Sequence, residues 1–183
     1  MTRRLANLNE LSASNRPKYN PNAYGTGIVH LGVGSFHKAH QAYYTDKILE
    51  KSGGDWRIMG VSLRSNDAQN QLRPQNGLYT LLIKGGMGTT SRVIGSIVDV
   101  LSASKNSEPA IQAMVNKNIK IVSLTVTEKA YGLNLSNLGC NINHADIAYD
   151  LKNFHSPRGV LGIVTKALAI RKLKKIPPFT VLC

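Results

Sequence analysis

Cysteine is nearly absent: the 183 residues contain two, Cys140 and Cys183, and neither belongs to a C-x-x-C pair. Two such thiols exclude a disulfide framework and read as ordinary reduced cysteines. Long apolar runs are missing too. None approaches the roughly 18 residues of a membrane span, and the N-terminus M-T-R-R-L-A-N-L-N-E offers no signal-peptide core. The expectation is a soluble, cytoplasmic protein with no membrane partner. Acidic residues are scarce, 10 Asp and Glu against 23 Lys and Arg, for a formal net charge of +13. That imbalance raises the question of nucleic acid. The basic residues are scattered, however, with one dense run at Arg171-Lys172-Leu173-Lys174-Lys175. Neither zinc-finger spacing nor an aromatic-interleaved basic stripe accompanies them, which disfavours a nucleic-acid partner. A basic surface that attracts an anionic substrate and cofactor accounts for the charge equally well. A non-catalytic basic binding protein, taking nucleic acid or another anion, is the alternative reading.

What is present is enough for one sizeable core, with 42% hydrophobic residues. Residues 1–23 are polar and carry Asn-Arg-Pro and Asn-Pro-Asn turn signals, so they read as an extended arm before a domain spanning 24–183. A β-branched run ending at Leu31 predicts a first strand that turns through Gly32-Val33-Gly34 into a helix. The pattern from Ala39 to Lys51 is helical, with Ala42, Tyr43, Ile48 and Leu49 as its inward candidates, and Ser52-Gly53-Gly54 stops it. Trp56–Leu63 predicts a second strand, followed by a short polar helix. Leu78–Ile83 and Ser91–Ile97 predict a β-hairpin across Lys84-Gly85-Gly86-Met87-Gly88. Pro109 opens a helix to about Asn116, and Ile119–Thr125 predicts a strand. Residues 131–143 read as loop, and a short helix is expected over His144–Lys152. A longer helix over Gly159–Lys174 has Leu161, Val164, Leu168 and Leu173 as inward candidates. A last strand begins at Phe179, after Pro177-Pro178. Strands alternating with helices predict an α/β fold with a mostly parallel sheet, helices on both faces and a hairpin insertion.

In such a sheet, ligands sit outside the carboxyl ends of the strands. This rule selects three loops, Gly32–His37, Leu63–Asp67 and Val126–Lys129. Two glycines let the chain turn and approach a pyrophosphate, and a helix N-terminus favours that anion. The third glycine of the usual G-x-G-x-x-G pattern is replaced by His37, so the helix must be set differently. At the end of the second strand, Arg64 could hold a 2′-phosphate and Asp67 could bond a ribose 2′-hydroxyl, leaving NAD and NADP both open. His30, His37 and His40 lack a nearby acidic or thiol ligand, and packing or hydrogen bonding is preferred to metal binding. Glu128 and Lys129 read as an acid–base pair, an ion pair or part of a cofactor loop.

Several of these stretches line up with one family. I-V-H-L-G-V-G-S-F-H-K-A-H-Q-A, residues 28–42, closely resembles the signature of the mannitol dehydrogenase family. These are the long-chain polyol and hexuronate dehydrogenases, among them mannitol 2-dehydrogenase and fructuronate reductase (mannonate oxidoreductase). G-V-S-L-R-S (60–65), G-L-Y-T (77–80), V-I-G-S-I (93–97), I-V-S-L-T-V-T-E-K (121–129) and F-T-V-L (179–182) follow in the expected order. The resemblance implies a Rossmann-type domain followed by a largely helical C-terminal domain. It also implies hydride transfer between a nicotinamide cofactor and the C2 alcohol of a sugar alcohol or sugar acid. By resemblance, the cofactor-binding residues are Ile28, Val29, His30, Leu31, Gly32, Val33, Gly34, Ser35, Phe36, His37, Lys38 and Ala39. Arg64, Asp67, Thr125, Glu128 and Lys129 join them from the other two loops, and no metal is implied. The family's catalytic lysine, in a Lys-x4-Asn-x2-His motif of the C-terminal domain, has no counterpart in these 183 residues. The chain therefore reads as the cofactor-binding part of a longer enzyme, cut before its helical domain and inactive alone.

Overall fold

The computed structural model describes residues 8, 11, 16–86, 88–134, 136, 137 and 139–183. Most of the expected arm, and Met87 of the hairpin connection, lie outside them. Strands β1 (Thr26–Leu31), β2 (Arg57–Ser62), β5 (Ile97–Ser102), β6 (Ile121–Leu124) and β9 (Thr180–Leu182) form one sheet in the order β5-β2-β1-β6-β9. Every pairing in it is parallel. The chain works outward from β1 through β2 to β5, then crosses back to β6 beside β1. The order therefore reverses between β1 and β6, the switch point where open α/β sheets bind ligands.

Parallel strands are buried on both faces, and alternation along β1 shows it. Val29 and Leu31 enter a core with Ile111 and Met114 of α4 (Glu108–Val115) and Ile163 and Ala167 of α6 (Val160–Leu173). Ile28 enters a second core with Ala42 of α2 (Gln41–Ser52) and Leu72, which ends α3 (Asp67–Leu72). Outside the sheet, β3 (Tyr79–Gly85) and β4 (Gly88–Ile94) pair as the antiparallel hairpin. Buried Asp46 of α2 anchors it, accepting from both Arg92 Nε (2.9 Å) and the Gly95 N–H (2.9 Å), and from the Tyr19 hydroxyl (2.6 Å). No helix among the described residues is long and apolar enough to cross a membrane.

Four details depart from the sequence expectation. Ile97 does not end the hairpin: the chain breaks at Gly95-Ser96, and Ile97 opens β5, a sheet strand that the pattern reading passed over. The helix expected over Ala39–Lys51 is α2, and a separate short helix, α1 (Ser35–Ala39), precedes it, the two divided at His40, whose φ of −116° and ψ of −88° are not helical. The expected loop over 131–143 contains a minimal hairpin, β7 (Leu133–Asn134) with β8 (Gly139–Cys140), and α5 (Ala145–Lys152) follows it. The inward stripes also match only in part. In α6 the buried positions are Val160, Ile163, Ala167 and Arg171, while Leu161 and Leu173 are exposed; in α2 they are Ala42, Asp46 and Leu49, with Ile48 exposed. Ala42 and Leu49 are buried as expected, and Tyr43, Val164 and Leu168 pack partly buried against the cores, but a charged residue, Asp46 or Arg171, takes a core position in each helix that hydrophobicity alone does not mark.

Candidate cofactor site at the glycine turn

β1 ends at Leu31, and its pairing continues one residue further as the Gly32 N–H donates to Val61 O at 2.9 Å. Gly32 then takes φ +105°, and a Cβ there would lie 2.8 Å from the backbone oxygen of Thr125. Glycine is required at that position by the protein itself. Gly34 is different. Its φ is −109° and ψ −175°, open to any residue, and a Cβ there would meet nothing nearer than Gly32 O at 3.9 Å. Nothing in the fold demands glycine at 34, so a cradle is left open for a ligand's approach to the backbone.

The Gly34 N–H turns back onto Gly32 O at 2.8 Å and is not free for a ligand. The donors facing outward at the start of α1 are the first-turn N–H groups, which have no intrahelical acceptor. With five residues, α1 has a small dipole, so close backbone approach and local N–H groups dominate over the macrodipole here.

Beneath the turn lie two histidine rings. His30 Nδ1 is 2.8 Å from Ser123 Oγ on β6, and Nε2 is 2.9 Å from Thr125 Oγ1 and 3.2 Å from Gly32 O. The Thr125 hydroxyl donates to the same Gly32 oxygen at 2.8 Å. This carbonyl, which sets the turn, is thereby tied to both strands at the switch point. His37, at the third glycine position, stacks on His30 with centroids 3.6 Å apart and planes within 10°, and neither of its ring nitrogens has a partner. A ring under the helix replaces the close helix–strand contact that glycine would allow.

Both rings are held neutral. Burial pushes His30 down to about 4, against the raising effect of the Gly32 carbonyl and the Gln41 side chain. Burial, then the charges of His30 and Lys38, push His37 down to about 3. An unfolded histidine protonates near 6.5, so below that pH the unfolded chain binds more protons and the fold weakens as pH falls. We expect urea midpoints to hold above pH 6.5 and to decline from there toward pH 4. The limiting slope is about 1.4 kcal/mol per pH unit for each ring. His37→Phe keeps the stacked ring and takes no proton, so it should halve that slope; an unchanged slope would count against the assignment.

The cleft above the turn has a volume of about 290 Å3. Its walls come from the three carboxyl-end loops: Gly32, Val33 and Gly34; Ser62, Leu63, Arg64 and Ser65; and Thr125, Val126, Thr127 and Ala130. Of the residues singled out from sequence, Gly32, Val33, Gly34, Arg64 and Thr125 meet in this lining. Ile28, Val29 and Leu31 are core residues of β1, and His30 and His37 lie beneath the floor. Ser35, Phe36 and Ala39 are exposed on α1, and the Lys38 carbonyl receives the Tyr79 hydroxyl at 2.6 Å. Asp67, in the first turn of α3, and Glu128 and Lys129, in a 3-10 turn over Glu128–Tyr131, are exposed and absent from the lining. Ser62, Ser65 and Thr127 are lining residues that sequence reasoning did not single out. Ser65 and Thr127 lie in selected loops and Ser62 ends β2, but small hydroxyl residues at strand ends carry no pattern of their own. Among the described residues no group of three His, Cys, Asp or Glu side chains is arranged to hold a metal.

A parallel sheet whose order reverses at a glycine turn defines a Rossmann-type domain. A family model described as the mannitol dehydrogenase Rossmann domain matches residues 26–183. The chain belongs to the mannitol dehydrogenase family, a family of oxidoreductases. It is 41% identical over 179 residues to mannitol 2-dehydrogenase of Pyrenophora tritici-repentis, covering 96% of this chain and 32% of that protein. The corresponding enzyme of Phaeosphaeria nodorum is 42% identical, with the same coverage. Among solved structures, Pseudomonas fluorescens mannitol 2-dehydrogenase in a ternary complex with NAD and D-mannitol is 41% identical, with a TM-score of 0.90 over 98% of this chain and 38% of that one. The chain thus spans about a third of the length of the curated relatives it matches.

Proposed function

We propose that residues 24–183 are the NAD-binding part of an oxidoreductase, with 1–23 as an arm preceding it. The observation that carries this reading is the open face of Gly34 at the β1/β6 switch point. It comes with 41% identity to an enzyme whose structure holds NAD and D-mannitol. When bound, the nicotinamide dinucleotide supplies the hydride acceptor. In this chain Gly32 sets the turn, His30 and Thr125 hold its carbonyl, and Gly34 leaves room for the pyrophosphate. The carboxyl-end loops form the walls of the cleft.

The substrate of the whole enzyme is a C2 alcohol or ketone of a sugar alcohol or sugar acid, the mannitol/fructose or mannonate/fructuronate pair. Oxidising such an alcohol needs a base for the hydroxyl proton and donors for the developing alkoxide. The cleft lining contains no carboxylate, histidine or lysine to serve as that base. A helical domain beyond these residues is the source we assign to it. The apolar strip of Phe36 (66% exposed), Tyr44 and Ile48 beside the turn supports a further packing partner there. Titration of the 183-residue polypeptide with NADH, read by energy transfer from its single tryptophan, Trp56, tests the reading. We expect saturable binding and no oxidation of mannitol or mannonate. Turnover of either by the pure polypeptide would overturn the division of labour.

A further inference from the structure

The positive charge of the chain is not gathered at the cofactor cleft, whose lining holds one cation, Arg64. It gathers at the opposite, amino edge of the sheet. The helices α2, α4 and α6 each run back to that edge before a parallel strand, so their last turns and the connections after them share it. Those segments carry Lys51, Lys117, Lys120, Lys172, Lys174 and Lys175, all exposed. The one carboxylate in the three connections, Asp55, accepts from the Gly25 N–H at 2.6 Å. Among the described residues none of these lysines is in an ion pair, and the Lys120 ammonium lies 4.6 Å over the Trp56 ring. Two of the connections are tied together: Arg171 donates to both Asn116 O and Pro177 O, and the Thr180 N–H donates to Lys120 O at 2.9 Å.

Lysines near helix C-termini are commonly accounted for by the negative end of the helix. Here those ends are already answered. Arg171 serves the last carbonyls of α4, and beyond α6 the Lys175 N–H donates to Lys172 O and the Ile176 N–H to Arg171 O. This turn sets Lys175 at φ +55°, in the position after a helix that glycine normally fills. A charged side chain stands where the backbone alone favours none. Beside it opens a pocket of about 380 Å3, with apolar walls from Leu168, Ile176 and Pro178, buried Arg171 at its base, and Lys172 and Lys175 at its rim. Leu173, 83% exposed, adds apolar surface at the end of the same helix. An apolar hollow within a charged rim is the anatomy of a protein-binding surface. The three connections present neither an exposed arginine fork nor an exposed aromatic ring, the usual means of holding nucleic acid.

We propose that this edge is a docking surface for an acidic polypeptide segment of a partner protein, which seats one bulky apolar side chain in the pocket and sets carboxylates against Lys117, Lys172 and Lys175. The test is fluorescence anisotropy of a dye-labelled peptide, glutamates around a central phenylalanine, titrated with the 183-residue chain. An all-glutamate peptide with the same dye, a DNA duplex and phosphatidylserine vesicles serve as comparisons. We expect saturable binding of the phenylalanine peptide, about tenfold tighter than the all-glutamate one. It should weaken about fivefold or more as salt rises from about 50 to about 200 mM. Lys117→Gln combined with Lys172→Gln should weaken it about fivefold or more, with the NADH titration unchanged from the parent. Lys175→Gly gives the turn its usual residue, so the urea midpoint should hold or rise while peptide affinity falls about threefold. No saturable binding, equal binding of the two peptides, or unchanged affinity in these variants would each overturn the proposal. Tighter binding of the duplex or the vesicles than of the phenylalanine peptide would overturn it too, naming phosphate rather than carboxylate as the group this edge holds.

Discussion

Gly34→Ala should leave a protein that is folded, slightly more stable, and unable to hold the dinucleotide. The backbone at 34 already has extended angles, and the added methyl meets no protein atom closer than 3.9 Å. Replacing glycine where the native angles suit alanine reduces the entropy of the unfolded chain, a gain of about 0.4–1 kcal/mol. The same methyl projects into the space a pyrophosphate needs for close approach to the turn. We expect NADH affinity to fall by at least about 100-fold, or about 2.8 kcal/mol. Gly32→Ala supplies the contrast. At φ +105° and 2.8 Å from the Thr125 oxygen, it must move backbone, so stability falls by about 1–3 kcal/mol from strain alone. Urea midpoints and NADH titrations on the two variants separate a ligand requirement from a folding one. If Gly34→Ala bound NADH like the parent chain, the open cradle would not be the pyrophosphate site.

The three loops of the cleft were legible in the sequence because the rule that finds them needs only the carboxyl ends of the parallel strands, which the β-branched runs mark. Which side chains of those loops enter the cleft was not legible. Thr125 and Ala130 line it while Glu128 and Lys129 face solvent, because the chain winds into a 3-10 turn that no pattern marks. Strand β5 escaped for a related reason. Ile97–Ser102 carries Asp99 in mid-strand, and that charge is answered by Arg73 from outside the strand, a long-range pairing invisible to a local reading. His37 shows the limit most clearly. Substitution at the third glycine announced a different helix setting, whereas the device that produces it, a ring stacked on His30, depends on two strands meeting at the switch point.

The basic run at 171–175 is the case where composition misleads most, and it carries the second large effect. Lys172, Lys174 and Lys175 are exposed, but Arg171 is 2% exposed on the inner face of α6. Its Nε donates to Pro177 O at 2.7 Å, and its two terminal nitrogens donate to Met114 O at 2.8 Å, Asn116 O at 2.9 Å and Ile119 O at 3.2 Å. Met114 and Asn116 end α4, whose last carbonyls have no intrahelical donor. One guanidinium therefore caps α4, holds the turn into β6, fixes the loop after α6, and lies 5.3 Å over the Phe179 ring. Because four carbonyls rather than a carboxylate surround it, the charge is offset by dipoles that the fold has already assembled. Arg171→Ala strips the buried Met114 and Ile119 carbonyls of this donor, leaves Asn116 O with only the Ile119 N–H, and opens a void beside Phe179, at a cost of about 3–5 kcal/mol. That is a large fraction of the roughly 5–15 kcal/mol that stabilises a domain. Arg171→Lys keeps the charge but cannot direct donors to all four carbonyls, so it should recover less than half of the loss. Lys172→Ala, on the solvent side of the same turn, should stay within about 0.5 kcal/mol of the parent. A urea series on the three variants decides the matter: if Arg171→Ala unfolds at the same midpoint as Lys172→Ala, the four-carbonyl clamp does not hold α4, α6 and β6 together.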